Sequence, residues 1–215
     1  MLIRGNKFNL RYIGLVLFLG GLVLLFVIYW PLAVSYLDYM LFPVPGNVEV
    51  QIIEEGGDIT SDISKDTTVV FVDNSFGLYI PKIKANARVI KNIDPYNESE
   101  YTEALKQAVA HARGSSLPDG SGNVFLFAHS AVNFYERKDY NVYFYLLGEL
   151  DYGDNIYVSY NSELFKYTVL ESKIVAPEEV SYLGSYMEED TLTLMTCWPA
   201  GVDLKRIVVT AVRDK

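Results

Sequence analysis

The sequence predicts a mainly β fold, a closed barrel or sandwich of short strands, standing behind one N-terminal apolar helix. Three observations carry this. After residue 67 the chain breaks into eight short runs rich in Val, Ile, Tyr and Thr, separated by turn residues. A single helical pattern interrupts them. Ahead of them, Tyr12 to Val34 holds no charged residue and is dominated by Leu, Val, Ile and Phe. Many short strands with few helices favour closure, because closure removes exposed edges.

The apolar stretch is long enough for a membrane span, which takes roughly 20 residues to cross a ~30 Å hydrocarbon layer. Tyr29 and Trp30 sit at its far end, where amphipathic rings favour the interface. Arg4, Lys7 and Arg11 precede it, and no acid occurs before Asp38. The positive-inside bias then sets residues 1–11 in the cytoplasm, 12–34 as a transmembrane signal anchor and the rest outside the cell, a single-pass arrangement. A cleavable signal peptide is the rival reading. It requires a shorter apolar core and small residues at the cut, where this chain has Trp30-Pro31.

Residues 35–67 read as an extracytoplasmic tether, with Pro43, Pro45, Gly46, Gly56, Gly57 and scattered acids around the strand-like Val48–Ile53. Residues 68–215 then form one domain. Its expected strands are Val69–Val72, Gly77–Ile83, Arg88–Ile93, Val124–Ala128, Asn155–Tyr160, Phe165–Val175, Thr191–Thr196 and Arg206–Val212, with a hairpin turn at Asn161-Ser162. A helix is predicted from Glu98 to about Arg113, because Leu105, Ala108, Val109 and Ala112 recur at helical spacing and Gly114 stops it. A shorter helical turn is expected within Tyr140–Leu150.

The chain carries 18 cations against 27 acids, a net charge of −9. Three of those cations precede the apolar stretch, so the exported part has fifteen against 27, or −12. An acidic domain excludes phosphate-driven nucleic-acid binding, which needs clustered Lys and Arg. No cofactor is indicated. A Ca²⁺ site is compatible with so many carboxylates, but no acidic cluster has loop-like ligand spacing.

Cys197 is the only cysteine, so an exported domain can make no internal disulfide. It is either an inert core residue or a retained reactive thiol. Its run, Thr191-Leu-Thr-Leu-Met-Thr-Cys197, is joined by a loop containing Pro199, Gly201 and Asp203 to the run opening at Arg206. An antiparallel hairpin there puts thiol and guanidinium at one sheet edge. A thiol reacts as thiolate and needs a base or cation nearby. His129 ends the run Val124–His129, shares a face with Phe125 and Phe127, and precedes Ser130 and a loop, Asn133–Asn141. His111 falls on the predicted helix off its apolar stripe. It reads as a partly exposed side chain, with a place on a groove rim as the alternative.

These segments resemble the sortases, cysteine transpeptidases of bacterial cell surfaces. Thr191–Cys197 with Arg206 is similar to their TLxTC…R signature, and Leu78-Tyr-Ile-Pro-Lys-Ile83 looks like their LxIPKI strand. Ala108-Val-Ala-His111, Gly114-Ser-Ser-Leu-Pro118, Gly122-Asn123 and Phe127-Ala-His129-Ser130 follow their GVAH…GTxLPG…GN…GHS order, with Ala128 in place of glycine. The resemblance implies an eight-stranded barrel. It also implies a thioester on Cys197 formed from a C-terminal LPxTG-like sorting signal, proton transfer by His129, and substrate or oxyanion binding by Arg206. The implied partners are secreted proteins bearing that signal, an amine acceptor such as a peptidoglycan precursor or pilin lysine, and the bilayer through residues 12–34.

Thr196 and Ser130 are hydroxyls that could flank the site or merely satisfy local backbone groups. Trp198 follows the nucleophile and is a candidate for the peptide cleft. Most of the seventeen Tyr are expected to pack the barrel. Asp94-Pro95-Tyr96 looks like the Asp-Pro-aromatic lid of pilin-polymerising sortases, but it follows the LxIPKI-like strand where that lid precedes it. It reads as a turn into the helix, which favours protein anchoring over pilus polymerisation. Two other classes stay open. An L,D-transpeptidase would use the same dyad, though its SHGC-type motif is absent; a non-catalytic binding barrel would need no complete Cys, His and Arg set.

Overall fold

The computed structural model describes residues 10–42, 71–130, 143–183, 189–200 and 202–214, without the side chains at 10, 11, 28, 31, 32, 35 and 183. Most of the expected tether, with Val48–Ile53, lies outside the described residues, as do Val69, Val70, the loop Asn133–Asn141 and Gly201. The chain divides into two units, Met1–Phe42 and Pro43–Lys215.

The first unit is one helix, α1, Leu10–Leu41. It contains the whole predicted anchor, and its apolar side chains are exposed, Leu17 and Phe18 among them. Among the described residues, however, no helix is long and apolar enough to cross a membrane. The predicted anchor is thus present as a 32-residue helix, without a membrane span among the described residues.

The second unit is a closed eight-stranded barrel, in the order β1-β2-β3-β4-β7-β8-β6-β5. The strands are β1 Phe76–Ile80, β2 Ala85–Ile93, β3 Val109–Ala112, β4 Asn123–Phe127, β5 Asn155–Tyr160, β6 Glu163–Val175, β7 Thr191–Trp198 and β8 Lys205–Arg213. The pairs β2–β3 and β4–β7 are parallel, and the rest are antiparallel. Pro81 ends β1 by opening a 3₁₀ turn, Pro81–Ile83, that the predicted run Gly77–Ile83 had absorbed. Asn161 and Ser162 adopt φ of 50° and 66° between the paired residues Tyr160 and Glu163. That is the two-residue hairpin turn the sequence predicts.

The count of eight strands stands, but its membership changes. Phe71 and Val72 are not strand, and β3 takes their place. The predicted helix is real only over Glu98–Leu105, here α2, capped by the Asn97 side chain accepting from Glu100 N–H. Residues 109–112 instead form β3, buried on both faces between β2 and β4. A short apolar run of small residues fits helical spacing and buried strand equally well, and pairing decided it. His111 is therefore a strand residue, completely buried, and not a partly exposed helical one. Within 140–150 the described residues give only the 3₁₀ turn Leu147–Glu149.

Alternation along β4 and β7 sorts their side chains. Val124 and Leu126 pair with Leu192 and Leu194 on the barrel's inner face, all essentially inaccessible. Phe125 and Phe127 pair with Thr193 and Met195 on the outer face. There they pack with Ala104, Leu105 and Tyr101 of α2 and with Ile93, Ala110 and Ala112. A core on both faces explains why β4 reads as a continuous apolar run.

Candidate active site

Cys197 and Arg206 are partners across the antiparallel β7–β8 ladder. Both occupy the outer-face positions of their strands, continuing the series Thr193, Met195, Cys197. Cys197 is a free, half-buried thiol. The arginine side chain is 20% exposed, so its charge is partly desolvated beside the sulfur.

His129 arrives on the neighbouring chain. Phe127 pairs with Met195, Ala128 donates its N–H to the Met195 carbonyl at 3.2 Å, and the Thr196 hydroxyl donates to the Ala128 carbonyl at 2.8 Å. Half-buried His129 follows Ala128 directly, two residues past the last paired position, Phe127 opposite Met195, as Cys197 is two residues past Met195. Because β4 and β7 are parallel, both chains leave the barrel at the same rim.

A buried polar cluster fixes that register at the other end of the pair. Asn123 Oδ1 accepts from the hydroxyls of Thr191 at 3.1 Å and Thr193 at 2.9 Å, while its amide nitrogen donates to the Tyr182 carbonyl at 2.9 Å. All three side chains are buried, so a one-residue slip would strand each of these groups unsatisfied. The threonines of the TLxTC-like run thus serve the sheet, and Thr196, 3% exposed, does the same beside the site. Ser130 is also buried. Trp198 lies over Gly148, where an added Cβ would sit 3.6 Å from its ring and 3.0 Å from Ile207 Cδ1.

Two residues the sequence reading left out of the site belong to it. Asp203, in the β7–β8 loop, forms an ion pair with the Arg206 guanidinium, and the same oxygen accepts from the Cys197 thiol at 3.6 Å. Tyr101, on α2, packs edge-on against Phe127 with centroids 6.4 Å apart. Burial raises the pKa of its hydroxyl, which also feels Glu98, Asp203, Arg206 and Cys197. The (i, i+3) spacing of Asp203 and Arg206 is a visible signal in the sequence; nothing in it points to Tyr101.

Arg206 alone would make Cys197 easier to ionise. The outcome is reversed: burial pushes the thiol pKa up most strongly, Asp203 adds to the rise, and Arg206 offsets only part of it. The resting sulfur is a thiol that needs a proton acceptor before it attacks. Among the described residues no three His, Cys, Asp or Glu side chains gather as metal ligands would.

A thiol, an imidazole and a guanidinium near one rim are groups that acyl transfer can use. Sortase D of Bacillus subtilis is 29% identical over 122 residues, 57% of this chain and only 53% of that protein, so the match spans about half of the relative's length. Sortase C-1 of Actinomyces oris superposes with a TM-score of 0.56 at 29% identity, covering 67% of this chain and 76% of that one. Sortase A of Corynebacterium diphtheriae gives 0.55 at 28%, covering 66% and 60%. The sortase domain model matches residues 78–214, from within β1 to past the end of β8. By that match, and with the barrel to accompany it, the chain belongs to the sortase family.

Proposed function

We propose that this chain is a membrane-anchored transpeptidase that cuts a C-terminal LPxTG-like sorting signal and passes the upstream protein to an amine. The observation that supports it most is the pairing of Cys197 with Arg206 on a ladder whose neighbouring strand, β4, runs on in the chain to His129. In this reading the Cys197 proton passes to His129. The sulfur attacks the threonine carbonyl, and Arg206 donates hydrogen bonds to the oxyanion or the adjacent substrate backbone. Collapse breaks the C–N bond; His129 returns the proton to the departing amine and a thioester remains. An acceptor amine then attacks, gives its proton to His129, and leaves the thiolate to be reprotonated.

Anchoring to the cell wall is favoured over pilus polymerisation. Asp94 accepts from Tyr96 N–H at 2.9 Å and pairs with Arg113, so Asp94-Pro95-Tyr96 is a turn between β2 and α2. The three relatives carry different sortase letters at 28–29% identity, so likeness alone does not choose a class. The span over 12–34, with the cations of residues 1–11 inside and the barrel outside, completes the reading; protease added to sealed inside-out vesicles should leave the barrel intact, and its digestion would contradict an N-terminus in the cytoplasm.

The test is to incubate the full chain in detergent with LPxTG-like peptide libraries and an amine, then weigh the protein. A thioester on Cys197 that disappears in Cys197→Ala supports the proposal. An adduct with muropeptides alone would support an L,D-transpeptidase instead, and no adduct with any peptide would leave a binding barrel.

A further inference from the structure

Asp203 touches both groups that the proposed reaction uses. Its Oδ1 holds the Arg206 guanidinium and accepts from the Cys197 thiol. The loop brings it there: Val202 N–H closes a turn on the Pro199 carbonyl at 2.9 Å, and Asp203 follows directly. The carboxylate side chain is 75% exposed while the arginine is 20% exposed, so the acid caps the pair from the solvent side. Two anions cannot share that position. Once Cys197 loses its proton it has nothing to donate to Asp203, and thiolate and carboxylate repel across a partly buried gap.

We propose that Asp203 is a positioning residue that latches the resting site. It bridges Cys197 and Arg206 through one oxygen, and acylation begins when an incoming backbone carbonyl takes its place on the guanidinium. The latch keeps the arginine aimed at the sulfur and keeps the sulfur protonated until substrate arrives. The upward push on the thiol from burial and Asp203 fits this arrangement. The other titratable groups around the latch are Tyr101 on α2, which feels Asp203, Arg206 and Cys197 and has Glu98 on its own helix, Lys205 next to Arg206 on β8, and His129 in the chain just past β4. Holding these constant isolates the contribution of Asp203. The inference rests on Cys197 and Arg206 being the working pair.

The test uses the full chain in detergent. The rate of alkylation of its single cysteine by iodoacetamide is followed by mass spectrometry against pH, for wild type, Asp203→Asn and Asp203→Glu, with peptide turnover measured beside it. Asn keeps the shape and loses the charge, so its alkylation midpoint should move to lower pH and its rate at neutral pH rise about threefold or more. Asp203→Glu should stay near wild type. An Asn midpoint that is unchanged or higher overturns the latch, and so does a Glu variant that moves as far as Asn. Alkylation needs no turnover, so the two ideas fail separately. A shifted midpoint with no transpeptidation by wild type removes the function and keeps the latch; turnover with an unshifted midpoint does the reverse. Since Asp203 is exposed, both variants are expected to fold, which unchanged thermal melting checks.

Discussion

Cys197 and Arg206 face each other across β7 and β8 as a single pair of ladder partners, the last before Trp198 and Lys205 close the hairpin. Their separation is therefore set by backbone hydrogen bonding and not by side-chain packing. A substitution at either position can remove chemistry without disturbing the sheet.

Arg206→Ala is expected to lower kcat/KM about 10²–10³-fold, the loss typical when one oxyanion donor is removed. Arg206→Lys should recover only part of it, because an ammonium keeps the charge and loses the planar fork. Steady-state kinetics with an LPxTG-like peptide checks both. Equal rates in wild type and the alanine variant would remove Arg206 from the reaction.

His129→Ala should cost about 10²–10⁴-fold in turnover while leaving the melting temperature nearly unchanged, as expected for a proton carrier on a half-buried rim position. Circular dichroism alongside kinetics separates the two effects. A large fall in stability with modest loss of rate would make His129 a structural residue.

Asn123→Ala should destabilise the barrel by about 1–3 kcal/mol or more, since the Thr191 and Thr193 hydroxyls and the Tyr182 carbonyl all lose their partner. Activity should fall further than stability alone explains, because that cluster holds the β4–β7 register just ahead of His129 and Cys197. Chemical denaturation and kinetics on the same sample measure the difference.

His111 makes folding pH-dependent on the acid side. Its Nδ1 accepts from Asn92 N–H at 3.2 Å, which leaves Nε2–H to donate to the Ser116 carbonyl at 3.0 Å, so the buried ring is neutral. Burial lowers its pKa below the ordinary 6.5. The unfolded chain thus takes up a proton first, and stability that is complete above 6.5 is lost as pH falls from there toward the folded pKa. Over that window His111 contributes a slope of up to about 1.4 kcal/mol per pH unit. Urea midpoints of wild type and His111→Gln across the window should converge at the acid end; parallel curves would assign the slope elsewhere.

The hairpin carrying Cys197 and Arg206 was legible because one short loop joins two β-branched strands, so local spacing alone sets which residues meet. The β4–β7 pairing was not, since it joins chains 68 residues apart. Only the resemblance of motifs connected His129 to the thiol. The helix was overextended through β3 because Ala108, Val109 and Ala112 satisfy a helical stripe by chance, while β3 exists through partners distant in sequence. That error also put His111 at a surface it never sees. Asp203 is one acid among 27, and the burial that chiefly raises the thiol pKa against Arg206 exists only in the folded chain.

The tight turn at Asn161 and Ser162 has a practical corollary. β6 rises from that turn until Val175 stands opposite Arg206, so the turn lies at the end of the barrel away from the thiol. A linker or surface tag grafted there would hold the molecule by its base and leave the reactive mouth open to large protein substrates.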